Sequence, residues 1–412
     1  MSTDEPAQKR IASLDQFRGY TVLAMFLVNF LGSFEACHWL LRHHNVFCSF
    51  ADTIMPQFLF AVGFAFRLSF ERRIESRGAP AAYARMVRRL LGLVLVSLVV
   101  YSAGSRAETW DQLSTMGAWE AVRGPLKSTW FQTLTHIAVT SLWVLPVVRA
   151  GVGWRIAFLL GSAAIHVVAS HAFYFHWVNN GAPNGIDGGP LGFLTWAVPM
   201  IVGTLAYDAV AQPEGRRPLA SMLLWSALLM AAGYALSCGT RFYDAPSATQ
   251  PAATKLASQP VIPTPAQVAT AREKVASGQV LQLLAEPPFV PPPHPDGDIG
   301  KSHQLRAWNY WMMSQRSGTL SYQVFAAGFS LAVFLLFYVG CDLYGWRIGV
   351  LSTFGANALA AYVLHMMVDH SVKSFMPRDA PEWYMWGGCA VFIGVTYLLV
   401  RSLELRGIYL KL

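Results

Sequence analysis

Two adjacent histidines and an aspartate lie close together in the sequence, between two apolar stretches. His43, His44 and Asp52 fall within LLRHHNVFCSFAD, and Asn29 lies near the end of the apolar stretch before them. An imidazole can remove a proton or carry an acyl group, a carboxylate can orient the ring, and an amide can donate to an oxyanion. For each residue alone, a solvated loop histidine or a carboxylate favoured by a helix dipole is the structural alternative. The combination predicts a general acid–base site.

Other polar residues lie at membrane depth, where a polar group is costly and usually marks function or helix pairing. Asp15 and Arg18 in SLDQFRG are three residues apart and share one helical face, so they either form a structural ion pair or line a path. Asn357, Tyr362 and His365 in GANALAAYVLH could line a shared cavity, and hydrogen bonding between helices is the alternative.

The elements that must position these residues are membrane-spanning helices. Of the 412 residues, 54% are hydrophobic and 13% are charged, whereas a soluble domain carries about 25% charged residues. Continuous apolar runs of about 20 residues predict helices that cross a bilayer, and they exclude the alternating strands of a barrel. We predict an all-α, polytopic membrane protein with about ten transmembrane helices in a single domain over residues 1–412. The predicted spans are Leu14–Phe34, Ala51–Phe70, Leu90–Gly104, Phe131–Val148, Ile156–Phe175, Leu191–Ala211, Leu219–Cys238, Leu320–Cys341, Ile348–Val368 and Tyr384–Val400.

Lysine and arginine gather on one side of these spans, above all in the cluster at residues 67–89. The positive-inside rule therefore places this side and the N-terminus in the cytoplasm, and an even number of spans returns the C-terminus there. The net charge of +8 is then mostly a topological signal, and no basic face interleaved with aromatic residues indicates nucleic-acid binding. The polar residues 1–10 and the long apolar run after them predict that the first helix is retained rather than cleaved as a signal peptide.

Residues 239–319 differ in kind from the rest of the chain. They hold eleven of the 23 prolines, a composition that predicts an extended extracytoplasmic loop and not a large packed core. Within this Pro-rich insertion, Ala266–Ala285 has the pattern of a short amphipathic helix. On the predicted topology the insertion separates seven helices from three.

The five cysteines form no metal-binding pattern, because no pair has CxxC spacing. We interpret them as small buried hydrophobes, and a disulfide among Cys37, Cys48 and Cys238 is the alternative. No HExxH, P-loop or GxSxG motif is present, and no metal is predicted.

Several of these segments together resemble the heparan-α-glucosaminide N-acetyltransferase family of transmembrane acyltransferases. RIASLDQFRGYTVLAMFLVN, LRHH, ADTIMPQFLFAVG and RRLLGL follow the order of the family's SLDxxRGxxxxxMxxVN, active histidine, ADLVFPxFxFxxG and basic loop. TWFQTLTHIAVTSL, GGPLGFLTWAVPMIVGTLAYD, SGTLSYQVFAAGFSLAVFLLFYVGCDLYG and FGANALAAYVLH are similar to later family segments. The resemblance covers nearly the whole chain except residues 239–319.

The resemblance implies an activity and a set of site residues. The family moves an acetyl group from cytoplasmic acetyl-CoA to an amine across the membrane, so it implies an amino-sugar or related glycan acceptor on the outer face of a bacterial cytoplasmic membrane. The family's asparagine falls on Asn29, its aspartate on Asp52, and its active histidine on His43, with His44 as the alternative. The histidine would act as base or as acyl carrier. Cations for the phosphates of acetyl-CoA would come from Arg18, Arg67, Arg88 and Arg89.

Two other functions stay open at this point. The same polar residues would line a path in a transporter, although the absence of a detectable internal repeat weakens that alternative. A non-catalytic membrane partner of a cell-envelope pathway is the third, because HNVF stands where the family has WNG after the histidine. The expected partners are the lipid bilayer and a small-molecule or glycan acceptor, and a homodimer is left open.

Overall fold

The apolar stretches fold into helices. The computed structural model describes residues 11–101, 107–181, 183–212, 218–244, 256–292 and 306–410. Within these ranges the chain is all helical and has no strand, apart from two isolated β-bridges. The α-helices are α1 (Ala12–Leu31), α2 (Ile54–Arg77), α3 (Ala79–Tyr101), α4 (Trp110–Thr115), α5 (Ala118–Lys127), α6 (Thr133–Val144), α7 (Val152–Ala169), α8 (Phe175–Asn179), α9 (Phe193–Val210), α10 (Leu219–Ser237), α11 (Pro265–Ala276), α12 (Leu320–Phe337), α13 (Gly349–Ala356), α14 (Ala358–Lys373) and α15 (Glu382–Leu405).

Every predicted span overlaps one of these helices or a run of joined helices. Among the described residues, six helical segments are long and apolar enough to cross a membrane, namely those built on α2, α7 with α8, α9, α10, α12 and α15. A seventh is added if α13 and α14, which are bent by 98° at Asn357, count as one broken span. The other predicted spans correspond to α1, α3 and the shorter α6, so the count of about ten stays a prediction.

The apolar helices differ in how deeply they are buried. Of the most apolar window of each helix, 78% is buried for α9 and only 17% for α10. Large apolar side chains on α10 are open, among them Leu223, Leu224 and Trp225. A helix that is apolar all round and still exposes such side chains fits a lipid environment, which agrees with an integral membrane protein.

The chain divides into two compact units. The central unit comprises residues 38–330. Its core is the contact of α2 with α9, where the backbones approach closely because each helix presents a glycine. A Cβ atom at Gly63 would lie 2.0 Å from the carbonyl oxygen of Met200, and one at Gly203 would lie 2.1 Å from that of Phe60. Small residues allow this close helix packing in membranes.

The terminal unit comprises residues 1–37 and 331–411. It is built on the contact of α1 with α13 and uses the same device, since a Cβ atom at Gly19 would lie 1.9 Å from the carbonyl oxygen of Leu351. Asn357 separates α13 from α14 and has φ −128° and ψ 45°, so the predicted ninth span is a broken helix rather than a straight one.

The described parts of the Pro-rich insertion are folded rather than extended. The predicted amphipathic helix is present as α11, which begins at Pro265 and covers the first half of the predicted range. Its N-cap Thr264 forms a reciprocal capping box with Gln267. Arg306 donates two hydrogen bonds, of 2.8 and 3.0 Å, to the carboxylate of Glu286. The buried Tyr310 places its hydroxyl 2.8 Å from Nδ1 of His166. The Arg306–Glu286 pair therefore joins two parts of the insertion, and Tyr310 connects the insertion to α7.

Candidate functional site

The loop before α2 brings His43 and Asp52 together. Asp52 lies in a short 3₁₀ turn, Ala51–Thr53, that leads directly into α2, and its Oδ1 lies 2.9 Å from Nδ1 of His43. The Asp52 side chain is only 1% exposed, whereas that of His43 is 49% exposed. The carboxylate is therefore fixed inside the protein while the imidazole remains reachable.

Several donors hold Asp52 in place. Oδ2 accepts a 2.9 Å hydrogen bond from the Ser49 backbone N–H, and the Ser49 hydroxyl lies at the same distance. The hydroxyl of Tyr322 on α12 donates to the backbone carbonyl of Asp52. A buried carboxylate is tolerated only when it is paired and hydrogen-bonded, and Asp52 has both an imidazole partner and backbone support.

The pairing sets the protonation of His43. Burial lowers the pKa of His43, but the hydrogen bond and charge of Asp52, the charge of Asp187 and the Gln315 side chain outweigh it and raise this pKa above its ordinary value of 6.5. A carboxylate accepts hydrogen bonds, so Nδ1 carries the proton and Nε2 is left for chemistry. This is the arrangement in which a carboxylate orients an imidazole base and stabilises its cation.

His44 has a different environment. Its Nε2 lies 2.8 Å from the carbonyl oxygen of Trp39, and its ring stacks on Phe47 with centroids 4.3 Å apart. Burial lowers the pKa of His44. Only the backbone N–H of His44 reaches Asp52, at 3.4 Å. The geometry therefore favours His43 over His44 as the reactive imidazole.

A second carboxyl group acts on the same histidine. Asp187 lies in the turn before α9, is 5% exposed, and accepts a 2.8 Å hydrogen bond at Oδ1 from Nε2 of Gln315. Burial raises the pKa of Asp187 to about 6; the charge of Asp52 adds to this, while Gln315 and His43 oppose it. His43, Asp52, Asp187 and Gln315 thus form one interacting group, which we call the histidine cluster.

Asp187 and Gln315 are not among the site residues predicted from the sequence. The stretch NGIDGG carries a turn signal, and Asp187 has a positive φ of 53°, which aspartate tolerates better than most residues. An aspartate inside such a turn, directly before an apolar helix, was the available clue. Gln315 lies in the Pro-rich insertion with no comparable signal, so only the fold reveals it.

Asn29 belongs to the terminal unit, where it is exposed and its backbone carbonyl accepts a 3.2 Å hydrogen bond from Nζ of Lys373. Its role as oxyanion donor stays a prediction.

In the terminal unit, Asn357 and His365 face backbone groups. The Asn357 amide donates to the carbonyl oxygen of Ile408 at 3.0 Å and accepts from the Leu410 N–H at 3.2 Å. Nδ1 of the buried His365 faces the carbonyl oxygen of Tyr362. The prediction that Asn357, Tyr362 and His365 line a shared cavity stays a prediction.

The predicted cofactor cations fall in three environments. Arg18 and Asp15 line a polar cavity of about 510 Å³ in the terminal unit, together with Ala12, Gln16, Arg347, Ser352, Ala356, Glu404 and Tyr409. Arg67 forms ion pairs with Glu71 at 2.7 Å and with Asp208 at 3.0 Å. Arg88 and Arg89 are exposed on α3. Arg18, a predicted cofactor cation, and Asp15, a predicted path-lining residue, therefore line the same cavity.

The five cysteines are free, and four of them are buried, as expected for small apolar side chains. No curated protein matches this chain. The family model described as "heparan-alpha-glucosaminide N-acetyltransferase, catalytic" matches residues 10–238, more than half of the 412 residues and the part that carries His43, Asp52 and Asp187. The chain therefore belongs to the heparan-alpha-glucosaminide N-acetyltransferase catalytic family.

Proposed function

We propose that this protein is a transmembrane acetyltransferase that moves an acetyl group from cytoplasmic acetyl-CoA to the amine of an amino sugar or related glycan on the outer face of the membrane. The observation that carries the proposal is the contact of an accessible His43 with a buried Asp52, 2.9 Å apart, in a member of an N-acetyltransferase family. We assign the outer face to this loop from the Lys/Arg distribution, and the membrane to the cytoplasmic membrane of a bacterium.

The chemistry of the pair supports acyl transfer. Transfer from a thioester to an amine needs a base for the amine proton or a nucleophile that carries the acyl group. Nε2 of His43 can fill either role because Nδ1 is held by Asp52. Initial-rate kinetics separate the two routes, since an acyl-histidine intermediate gives a ping-pong pattern and direct transfer does not.

The polar cavity of the terminal unit supports a place for the phosphates of acetyl-CoA. Arg18 and Arg347 contribute two guanidinium groups to its lining, and guanidinium groups bind phosphate oxygens by paired hydrogen bonds. Arg88 and Arg89 are further candidates because they are exposed. Arg67 is the weakest of the predicted set, since two carboxylates already neutralise it.

A transfer assay with radiolabelled acetyl-CoA tests this proposal. Purified protein in lipid nanodiscs is incubated with glucosamine as acceptor, and N-acetylated product is counted for the wild type and for His43→Ala. We expect transfer by the wild type and a loss of at least about 100-fold in the variant, the usual contribution of a general base.

Two results would contradict the proposal. Binding of acetyl-CoA without transfer to any of a panel of amines would favour a non-catalytic partner. Uptake of an amino sugar into sealed vesicles, independent of acetyl-CoA, would favour a transporter. Arg18→Ala reports cofactor binding separately from chemistry, and Arg123→Ala, at an exposed position of α5, is the matched control.

A further inference from the structure

The histidine cluster contains two carboxyl groups, and acid–base chemistry at His43 needs only one of them. We propose that Asp187, positioned by Gln315, is a second catalytic residue that binds the ammonium group of the acceptor and removes its first proton. This inference rests on the proposed acetyltransferase function and adds the residue that prepares the acceptor.

Hydrogen bonds fix both the backbone and the side chain of Asp187. Trp196 donates from Nε1 to the backbone carbonyl of Asp187 at 2.7 Å, and Gln315 donates to its Oδ1 at 2.8 Å. The Trp196 ring packs edge-on against Tyr322, with centroids 6.0 Å apart, and Tyr322 in turn binds the backbone carbonyl of Asp52. Two aromatic residues in edge-to-face contact therefore hold the backbones of both aspartates of the cluster.

The two ends of the Gln315 side-chain amide have different environments. Its amide nitrogen is engaged by Asp187, and its buried amide oxygen makes no hydrogen bond of ordinary geometry among the described residues, although the Gln315 side chain also raises the pKa of His43. A buried amide oxygen without a donor is costly. An ammonium group placed between this oxygen and the Asp187 carboxylate would supply that donor.

The reaction must remove two protons from the nitrogen of the acceptor. An acceptor enters as R–NH₃⁺, and its nitrogen becomes a nucleophile only after it loses one proton. Asp187 takes that proton, and the nitrogen lone pair then forms the N–C bond to the acyl carbon. The C–S bond of the thioester breaks in direct transfer, or the C–Nε2 bond in transfer through an acyl-histidine. In direct transfer the second amine proton passes to His43 and from there to the departing thiolate, which leaves as a thiol. Through an acyl-histidine, the thiolate leaves first and takes a proton from solvent, and His43 returns the second amine proton to solvent after the amide has formed. In both routes Asp187 returns the first proton to solvent, so one proton is released per acetyl group transferred.

The raised pKa of Asp187 suits the removal of a proton from an ammonium group. With burial raising the pKa of Asp187 to about 6, it is ionised near pH 7 and yet a stronger base than an ordinary aspartate. The charged groups that act on it are His43 and Asp52. Two nearby cations, Lys127 and Arg316, meet the Asp187 turn through their backbone carbonyl oxygens, at 3.3 Å from the Ile186 N–H and 2.9 Å from the Gly188 N–H.

The variant Asp187→Asn tests the proposal. Asparagine tolerates a positive φ and can accept the same hydrogen bond from Gln315, so the fold is kept. The control is Asp111→Asn, an exposed aspartate on α4 in the same unit. We measure kcat/KM for glucosamine from pH 6 to pH 9 in the wild type, in both variants and in His43→Ala.

At pH 6.5 we expect Asp187→Asn to lose about 10-fold or more in kcat/KM, and we expect the deficit to shrink at pH 9. An amine of pKa near 8 is mostly neutral at pH 9 and no longer needs a carboxylate to remove its first proton. A structural role would give the same deficit at every pH, and either that result or wild-type activity at pH 6.5 would overturn the inference.

A second measurement does not depend on transfer. The pH dependence of His43 labelling by diethyl pyrocarbonate, read by peptide mass spectrometry, gives the pKa of its imidazole. Loss of the Asp187 charge should lower this pKa, and Asp111→Asn should leave it unchanged. An unchanged His43 pKa in Asp187→Asn would overturn the inference while leaving the proposed function in place. Absence of transfer by the wild type, with a lowered His43 pKa in Asp187→Asn, would overturn the proposed function and support the cluster alone.

Discussion

The two units of the molecule place histidines in opposite situations. In the central unit, His43 contacts a buried carboxylate and keeps half of its side chain exposed. In the terminal unit, His365 stacks on Phe26 with centroids 4.8 Å apart, faces a backbone carbonyl and is 6% exposed. The residue type is the same, and its partner and its accessibility decide whether it can do chemistry.

The helix packing inside each unit does not explain why the two histidines differ. Both units bring two helices together at a glycine, Gly63 in one and Gly19 in the other, with nearly the same closeness of approach. The difference lies in the polar loop of residues 38–53, which holds His43 outside the helices. A helical site such as that of His365 leaves the ring among apolar neighbours, whereas a loop site presents it to a ligand.

The largest expected difference in acetyl transfer is between a variant at His43 and a variant at His365. We expect His43→Ala to reduce acetyl transfer at least about 100-fold because the base or acyl carrier is lost. His365→Phe should keep transfer within a few-fold, since a phenyl ring can stack on Phe26 in its place. Transfer rates in nanodiscs measure both effects.

The His44→Ala variant controls the assignment within the loop. Full activity of His43→Ala with loss in His44→Ala would move the role to His44. Full activity of both single variants and of the double variant would contradict the histidine mechanism.

The partner of His43 should have the next largest effect. We expect Asp52→Asn to lower transfer at neutral pH by about 10-fold or more, with acetyl-CoA binding largely intact. In the wild type, a base must be neutral, so kcat/KM should rise with pH through a midpoint above 6.5, because the pKa of His43 is raised. Removing the Asp52 charge lowers that pKa and should shift the midpoint to lower pH.

A pH series of kcat/KM for both proteins measures this shift. A midpoint that stays in place or moves up in Asp52→Asn would contradict the assigned role of the carboxylate.

The glycine contacts offer a smaller effect that should be equal in the two units. A Cβ atom at Gly63 or Gly19 would lie within 2.0 Å of a backbone oxygen, so one helix must move. We expect Gly63→Ala and Gly19→Ala each to cost about 1–3 kcal/mol. Thermal unfolding in detergent measures the loss.

The matched control is Gly161→Ala on α7, where a Cβ atom meets nothing within 4 Å. This variant should be neutral or slightly stabilising. Equal melting temperatures for all three variants would show that the close approaches do not matter for stability.

The smallest expected effect concerns Asn357. Its amide holds the carbonyl oxygen of Ile408 and the N–H of Leu410, so Asn357→Ala should cost about 1–2 kcal/mol of stability. We expect transfer to be unchanged, because these bonds serve the C-terminal segment. A strong loss of transfer with an unchanged melting temperature would instead support the path-lining alternative for this residue.

The sequence by itself determined the helices and the paired site loop. Apolar runs specify helices because backbone polar groups must be satisfied locally in lipid, and each predicted run overlaps a helix of the described residues. His43 and Asp52 are nine residues apart in one loop, so local chain geometry brings them together. The exception in this group is the straight ninth span, since hydropathy carries no information about a 98° bend.

Only the tertiary structure decided the rest of the histidine cluster. Asp187 and Gln315 are 128 residues apart, and their contact follows from the packing of the turn before α9 against the end of the Pro-rich insertion. Composition alone indicated a loop there, because it cannot show that Arg306 pairs with Glu286 inside the segment or that Tyr310 contacts His166 on α7. The pKa of Asp187 is raised by burial, and burial is a property of the whole unit rather than of any local sequence.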